Sequence, residues 1–223
     1  HFHNIHGHLT TSIIGPLRER RVPIVWTLHD YRLVCPNTTF LRGGEVCERC
    51  LPRKYYNVVL GRCKKGSLAA SLVAMATTCF DRLSRVPARV DRFVAPSAFL
   101  KGKLAGGKID PSKVTVIPNF VDVESFRTGS EEDYFLYFGR LSGEKGVDLL
   151  VRAAARSGEQ GFRLKVVGEG PSREGLERLA REEGAPVEFL GFRTGGELRA
   201  LLEGSAFVVV PSIWYEKSSY ATM

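Results

Sequence analysis

Arg140 and Lys145 bracket a glycine-containing turn between an apolar run ending at Gly139 and a helical pattern that starts near Val147. A guanidinium is a planar fork and an ammonium a compact charge, and both suit phosphate oxygens. The free N–H groups of a helix start favour the same anion. Alone the loop is a modest signal, since it has neither the Walker spacing nor the dinucleotide glycine pattern. Gly168 and Gly170, in the run GEGP, make a second glycine-rich turn after the next apolar run. Glu216 follows a further apolar run and offers a carboxylate to sugar or ribose hydroxyls, although a lone loop Glu is usually just solvated. The chemistry these groups suit is the holding of a phosphate anion. Where such an anion is a leaving group, fixed cations stabilise its growing charge more in the transition state than in the ground state and stand in for a divalent metal, so no catalytic metal is expected.

A second group is rich in cysteine. Cys35, Cys47, Cys50 and Cys63 leave gaps of eleven, two and twelve residues in a basic stretch with little periodicity, Asp30–Gly66. A Cys-x-x-Cys flanked by two more cysteines suits a structural zinc that braces a long loop. Loosely packed free thiols and an iron–sulfur site fit the same spacing. Cys79 falls in the apolar run Ser67–Phe80 and reads as a buried small apolar residue. His1, His3, His6 and His8 crowd the start. A metal cluster is one reading. The simpler one has His3 and Asn4 ending a strand on the acceptor side of a cleft, with the others in a turn.

These groups need strands and helices to hold them, and the two alternate along the chain. Short apolar runs at Pro23–Leu28, Arg92–Pro96, Lys113–Pro118, Asp133–Gly139, Phe162–Gly168, Val187–Gly191 and Ala206–Pro211 read as buried strands. Helical patterns lie between them. Ser97 is placed to cap one, and Thr194 with Glu197 forms a predicted capping box for another. The class is therefore α/β, with parallel sheets covered on both faces. A first domain is expected over 1–118, a polar linker over 119–132 and a second domain over 133–223. Ser67–Phe80 reads as one apolar helix.

With 43% hydrophobic and 25% charged residues the composition is that of a globular protein, not a disordered chain. No apolar run is long enough to span a bilayer. The formal charge of +8 suits phosphate-bearing substrates, an anionic membrane or nucleic acid, and does not choose among them. A nucleic-acid module braced by zinc is one alternative, but the finger-like His/Cys pattern and an interleaved aromatic platform are missing. The cysteines, without a secretion signal, favour a reduced compartment. The basic loop beside the Ser67–Phe80 helix suits a membrane-facing acceptor side; a soluble surface over a core helix fits the same residues. The chain has no initiating Met and its first residues read as the end of a strand, so a chain cut at its front is expected.

Taken in order, HFHNIHG, PIVWTLHD, DRFVAPSAFLKGKL, KVTVIPNFVD, YFGRLSGEKGVDLL, LKVVGEGP, VEFLGF and FVVVPSIWYE resemble the family 4 glycosyltransferases, retaining enzymes of the GT-B fold. The resemblance implies two Rossmann-like α/β/α domains facing a cleft, both incomplete here. It implies transfer of a sugar from a nucleotide-sugar to a glycan or lipid-linked acceptor in cell-surface polysaccharide or glycolipid synthesis. The location it implies is cytoplasmic, at the inner face of the membrane for a lipid-linked acceptor; another GT-B enzyme, such as a nucleotide-sugar epimerase, is the nearest alternative. Arg140 and Lys145 match the pair that holds the donor diphosphate, with Gly139, Gly168, Gly170 and Phe192 around it. His29 matches a His that faces the donor sugar, and Asn119 the turn where the chain crosses between domains. Glu216 matches the first of two glutamates separated by seven residues, and the sequence ends where the second is expected.

Overall fold

The computed structural model describes residues 1–6, 9–122, 124, 132–157 and 163–218. His8, Phe162, most of the polar linker expected over 119–132 and the tail after Ser218 lie outside the described residues. The chain divides into two compact units: His1–Asn119 together with Trp214–Ser218, and Phe120–Ile213.

In the first unit the strands are β1 (Phe2–His3), β2 (Val25–Thr27), β3 (Leu41–Arg42), β4 (Glu45–Val46), β5 (Arg92–Ala95) and β6 (Val114–Val116). The helices are α1 (Ile14–Glu19), α2 (Asn57–Leu60), α3 (Leu68–Leu83), α4 (Val86–Arg89) and α5 (Ala98–Gly106). A parallel sheet runs in the order β1-β2-β5-β6, with Phe2 opposite Trp26 and Trp26 opposite Phe93. Burying both faces of short strands explains why they read as apolar runs without alternation. The core is centred on Trp26, Phe93, Ile14, Ile24, Leu100 and Leu104. Ser97 starts α5 by accepting the N–H of Leu100, as its position before the apolar period predicts, and Ser67 starts α3 in the same way by accepting the N–H of Ala70.

The stretch over 30–66 is folded rather than open. Tyr31 and Phe40 are buried edge to face in the core, and Gly43 and Gly44, both at positive φ, close the β3–β4 hairpin. Cys50, Tyr55 and Val58 form a small core of their own, with Cys63, Met75 and Cys79 packed against it.

The second unit holds β7 (Glu132–Phe138), α6 (Val147–Arg156), β8 (Arg163–Val167), α7 (Arg173–Glu182), β9 (Val187–Gly191), α8 (Gly195–Gly204) and β10 (Ser205–Val208). Its parallel sheet runs β10-β7-β8-β9. Phe135 and Tyr137 pack on one face with Leu150, Val151 and Leu176 of α6 and α7. Tyr134 and Leu136 pack on the other with Leu198, Leu201 and Leu202 of α8. The two-residue period of β7 thus feeds two cores. Because β10 returns beside β7, the strand order reverses there. In open α/β sheets ligands bind at the carboxyl ends of strands near such a reversal.

Candidate functional site

The carboxyl ends of β7, β8 and β9 are drawn together by backbone pairing that continues past the strands. Gly139 N donates to Val167 O at 2.9 Å, Leu141 N to Glu169 O at 2.9 Å and Gly168 N to Gly191 O at 2.8 Å. The approach is so close that a Cβ on Gly168 would stand 1.9 Å from the Gly139 carbonyl oxygen. Gly168 also sits at φ +135°, a conformation open in practice to glycine. Tyr137 Oη donates to the Arg140 carbonyl at 2.9 Å and pins the start of the loop. The chain then makes a 3-10 turn, Gly143–Lys145, and enters α6 through Gly146, which is left-handed and brings no side chain to satisfy the first N–H groups of the helix. Arg140 and Lys145 therefore stand on one loop, at one edge of the sheet.

A pocket of about 450 Å3 opens at this edge. Gly139, Arg140, Gly168 and Glu169 form part of its wall, and Phe192, Arg193, Thr194 and Leu198 close it from the start of α8. Its charge balance is positive. Glu169 is ion-paired to Arg173 of α7, whereas Arg140 is exposed and has no carboxylate partner among the described residues. Lys145 and Gly170 share the edge but are not part of the pocket wall.

Sequence reasoning placed Gly139, Arg140, Gly168 and Phe192 here and missed Glu169, Thr194 and Leu198 as pocket residues. Thr194 was expected to cap α8 in a box with Glu197, and this is corrected: the Thr194 side chain makes no cap hydrogen bond. Gly195, at φ +56°, turns the chain left-handed directly after it and carries the hydroxyl away from the helix N–H groups. Thr194 is part of the pocket wall instead.

In the first unit, parallel pairing sets His3 opposite Thr27, two residues before His29. His3 Nδ1 and His29 Nε2 meet at 2.8 Å with the rings stacked 5.1 Å apart, and His1 Nε2 bonds Thr27 Oγ1 at 2.7 Å. One histidine of such a pair donates and the other accepts, so each fixes its partner's tautomer. Asn4 follows at φ 45°, a left-handed conformation that Asn tolerates. Among the described residues, no three His, Cys, Asp or Glu side chains are gathered as a metal-ligand set.

Trp214–Ser218 belongs to the first unit, and Glu216 and Asn119 are found with it. Trp214 Nε1 donates to Glu216 Oε1 at 2.9 Å, and Asn119 Nδ2 to Ser218 O at 3.5 Å. Tyr31 Oη donates to the carbonyls of Tyr215 and Glu216, and burial, with the Glu216 carboxylate second, holds its proton on well above the usual tyrosine range. Tyr215 Oη donates to Glu48 at 2.6 Å, and Lys103 pairs with the same carboxylate at 2.5 Å. No sequence signal joins Glu48 to Tyr215.

The cysteines are all free thiols. Cys50 lies within electrostatic range of Cys35, Cys47 and Cys63, and burial followed by those neighbours pushes its thiol up to about 12. Burial also raises Cys35, against the opposing effect of four backbone N–H groups, of Asn37 to Phe40, that bond to its sulfur.

Parallel α/β units with a glycine-lined cationic pocket at a carboxyl edge are the halves of a GT-B fold. The chain belongs to glycosyltransferase family 4, whose model matches residues 1–125; the model for glycosyl transferases group 1 matches residues 121–221. It is 36% identical over 87 residues to an uncharacterized glycosyltransferase of Methanocaldococcus jannaschii, covering 38% of this chain and 22% of that protein. It is 39% identical over 88 residues to the glycogen synthase of Thermus thermophilus (39% of this chain, 20% of that protein). The D-inositol 3-phosphate glycosyltransferase of Mycolicibacterium paratuberculosis is 33% identical over 123 residues, which cover 46% of this chain and 27% of that protein. Among solved structures, Anabaena HepE in complex with UDP matches with a TM-score of 0.61 at 17% identity, covering 91% of this chain and 50% of that one. The matches thus span about a quarter of these curated relatives and half of that structure.

Proposed function

We propose that this chain is part of an enzyme that transfers a sugar from a nucleoside-diphosphate sugar to a glycan or lipid-linked acceptor, with retention at the sugar carbon. The observation that carries the reading is the pocket at the carboxyl edge of the second sheet. Its wall of glycine backbone admits a pyrophosphate closely, and the exposed guanidinium of Arg140, with no carboxylate partner among the described residues, supplies positive charge. Lys145 and the start of α6 stand on the same loop and add to that field. Breaking the bond between sugar and phosphate moves negative charge onto the departing diphosphate, where these groups are already oriented and cost no reorganisation. The sugar carbon becomes cationic at the same moment. Within the first unit, the His3–His29 pair, of fixed tautomer, and Glu216, a carboxylate held by Trp214, are polar groups of the kind that suit sugar hydroxyls. Phe192, largely exposed at the pocket rim, offers a flat face to the base.

The test is binding of nucleoside diphosphates and their sugars to the full-length protein by calorimetry. Hydrogen bonds to a charged group are worth about 1.5–3 kcal/mol, so Arg140→Ala weakens diphosphate affinity roughly ten- to hundredfold with an unchanged melting temperature. Equal affinity in the variant removes Arg140 from the site and the proposal with it.

A further inference from the structure

The inward edge of helix α3 is mixed: Met75 and Cys79 pack on the small core of Cys50, Tyr55 and Val58, and between them Ser71 and Thr78 are shielded from solvent, where Ser71 Oγ accepts the Lys64 N–H at 3.1 Å and Thr78 Oγ1 donates to Ala74 O at 2.9 Å. Arg82, one turn on, reaches Tyr55 Oη and the carbonyls of Leu33 and Gly107. Most of the larger apolar residues face the other way. Leu68, Leu72, Val73, Phe80 and Leu83 are exposed, Val73 to 63% and Leu83 to 83%. Val73, Ala76, Phe80 and Leu83 follow one another at helical spacings, so they share a stripe. A soluble helix normally shows the reverse, and an apolar stripe of this length marks a surface that something covers.

The charge around the stripe says what covers it. From Arg49 to Phe80 the chain has six cations, Arg49, Arg53, Lys54, Arg62, Lys64 and Lys65, and no Asp or Glu. All but Lys64 are exposed. Asp81, between Phe80 and Leu83, is partly buried and accepts the Thr11 hydroxyl, so the exposed charges on the chain leading to the stripe are cations, and an apolar stripe with such neighbours complements an interface that is apolar inside and anionic at its rim. A protein partner with an apolar patch would not require that one-sided charge. Beside the stripe, Ala76, Thr77 and Phe80 border a cavity of about 580 Å3 whose other walls include Thr11, Arg32 and Asp81. Polar groups thus lie directly next to the apolar face, as headgroups lie next to acyl chains. Among the described residues no helix is long and apolar enough to cross a membrane, so the contact is one of lying in the interface, with the stripe sunk to the boundary between headgroups and chains.

We propose that α3 and its flanking cations are a docking surface for an anionic lipid membrane. The surface is built entirely from the first unit, and it brings the enzyme to lipid-linked acceptors without being part of the donor pocket. The inference does not rest on the transferase chemistry, because lipid binding is read with neither donor nor acceptor present.

The experiment is co-sedimentation of the full-length protein with vesicles of phosphatidylcholine alone and of phosphatidylcholine with phosphatidylglycerol. Binding to the anionic vesicles exceeds binding to the neutral ones by at least about tenfold and weakens as salt is raised. Val73→Glu and Phe80→Glu each lower it by about tenfold or more, while Leu149→Glu, exposed on α6, leaves it unchanged. Folding of each variant is checked by circular dichroism and by retained nucleoside-diphosphate binding at the second unit. Equal binding to both vesicle types, or full binding by the two α3 variants, overturns the proposal. So does a concentration-dependent dimer that Val73→Glu dissolves, with no vesicle binding by the wild-type monomer, since a second copy then covers the stripe.

Discussion

Gly168→Ala is expected to unfasten the candidate donor site and to destabilise the second unit. The residue is buried at the end of β8, at φ +135°. Holding a non-glycine residue there costs on the order of 1–3 kcal/mol in backbone strain. The new Cβ would stand 1.9 Å from Gly139 O and 2.9 Å from Gly139 C, and both are backbone, so no side chain can swing aside. Relief requires the β7 and β8 ends to part. That stretches or breaks the bonds from Gly139 N to Val167 O and from Leu141 N to Glu169 O, and a buried group left unsatisfied costs about 1–3 kcal/mol. The two effects overlap, because parting the strands also relaxes the strain. The net loss is therefore about 3–4 kcal/mol, not the full sum. The assay is urea unfolding followed by circular dichroism, with nucleoside-diphosphate binding measured below the transition. Gly175→Ala is the internal contrast. Gly175 is exposed near the start of α7, with nothing within 4 Å of the place its added methyl would take, so alanine there stabilises by up to about 1 kcal/mol. A Gly168→Ala protein with wild-type stability and wild-type diphosphate affinity would refute the reasoning, since it would mean that the two strand ends are not pressed together.

The Glu48 carboxyl is held below its usual range by hydrogen bonds from Lys103 and Tyr215. A depressed folded pKa contributes stability that is intact above the unfolded value, about 4.3, and is lost as pH falls through the folded value. Glu48→Gln therefore flattens the acid limb of a melting-temperature profile below about pH 4.3 and leaves its slope near neutrality unchanged; an unaltered acid limb would count against the Glu48–Lys103–Tyr215 cluster. The Cys50 thiol, pushed up to about 12, is on the order of one part in ten thousand thiolate at pH 8. It should alkylate more slowly than Cys47 and Cys79 in the native protein, and labelling at the same rate as those two would show that it is not buried as described. Metal analysis of the same sample tests the zinc that the spacing of Cys35, Cys47, Cys50 and Cys63 suits. Bound zinc makes thiolates of all four and protects them together, with Cys79 left reactive.

Most of the strand and helix order was legible because it is written in short-range pattern. β7 alternates two apolar sets, and each finds its own core; Ser97 stands where an N-cap must and accepts the N–H three residues on. The Arg140–Lys145 loop was legible for the same reason, since a strand end, a turn and a helix start are all local. His3 and His29 were each readable as strand-end residues, yet their bond follows from which strands are neighbours, and that is a property of the sheet. The bond between Tyr215 and Glu48 joins residues 167 apart, and no periodicity carries information over that distance.

In sequence, Ser67–Phe80 reads as one apolar helix, either membrane-facing or part of a core, with Cys79 as a buried small residue. The helix forms and runs on to Leu83, but Cys79 is only partly buried and the larger apolar side chains point outward. What orients the helix is the set of polar groups that find partners underneath it, Ser71 with the Lys64 N–H and Arg82 with three oxygens from other parts of the fold. Turning the stripe inward would strand those groups without hydrogen bonds, and each loss costs more than the gain from burying one methyl or methylene. Apolar composition therefore decides that a helix forms, and the polar residues between decide which side meets the outside.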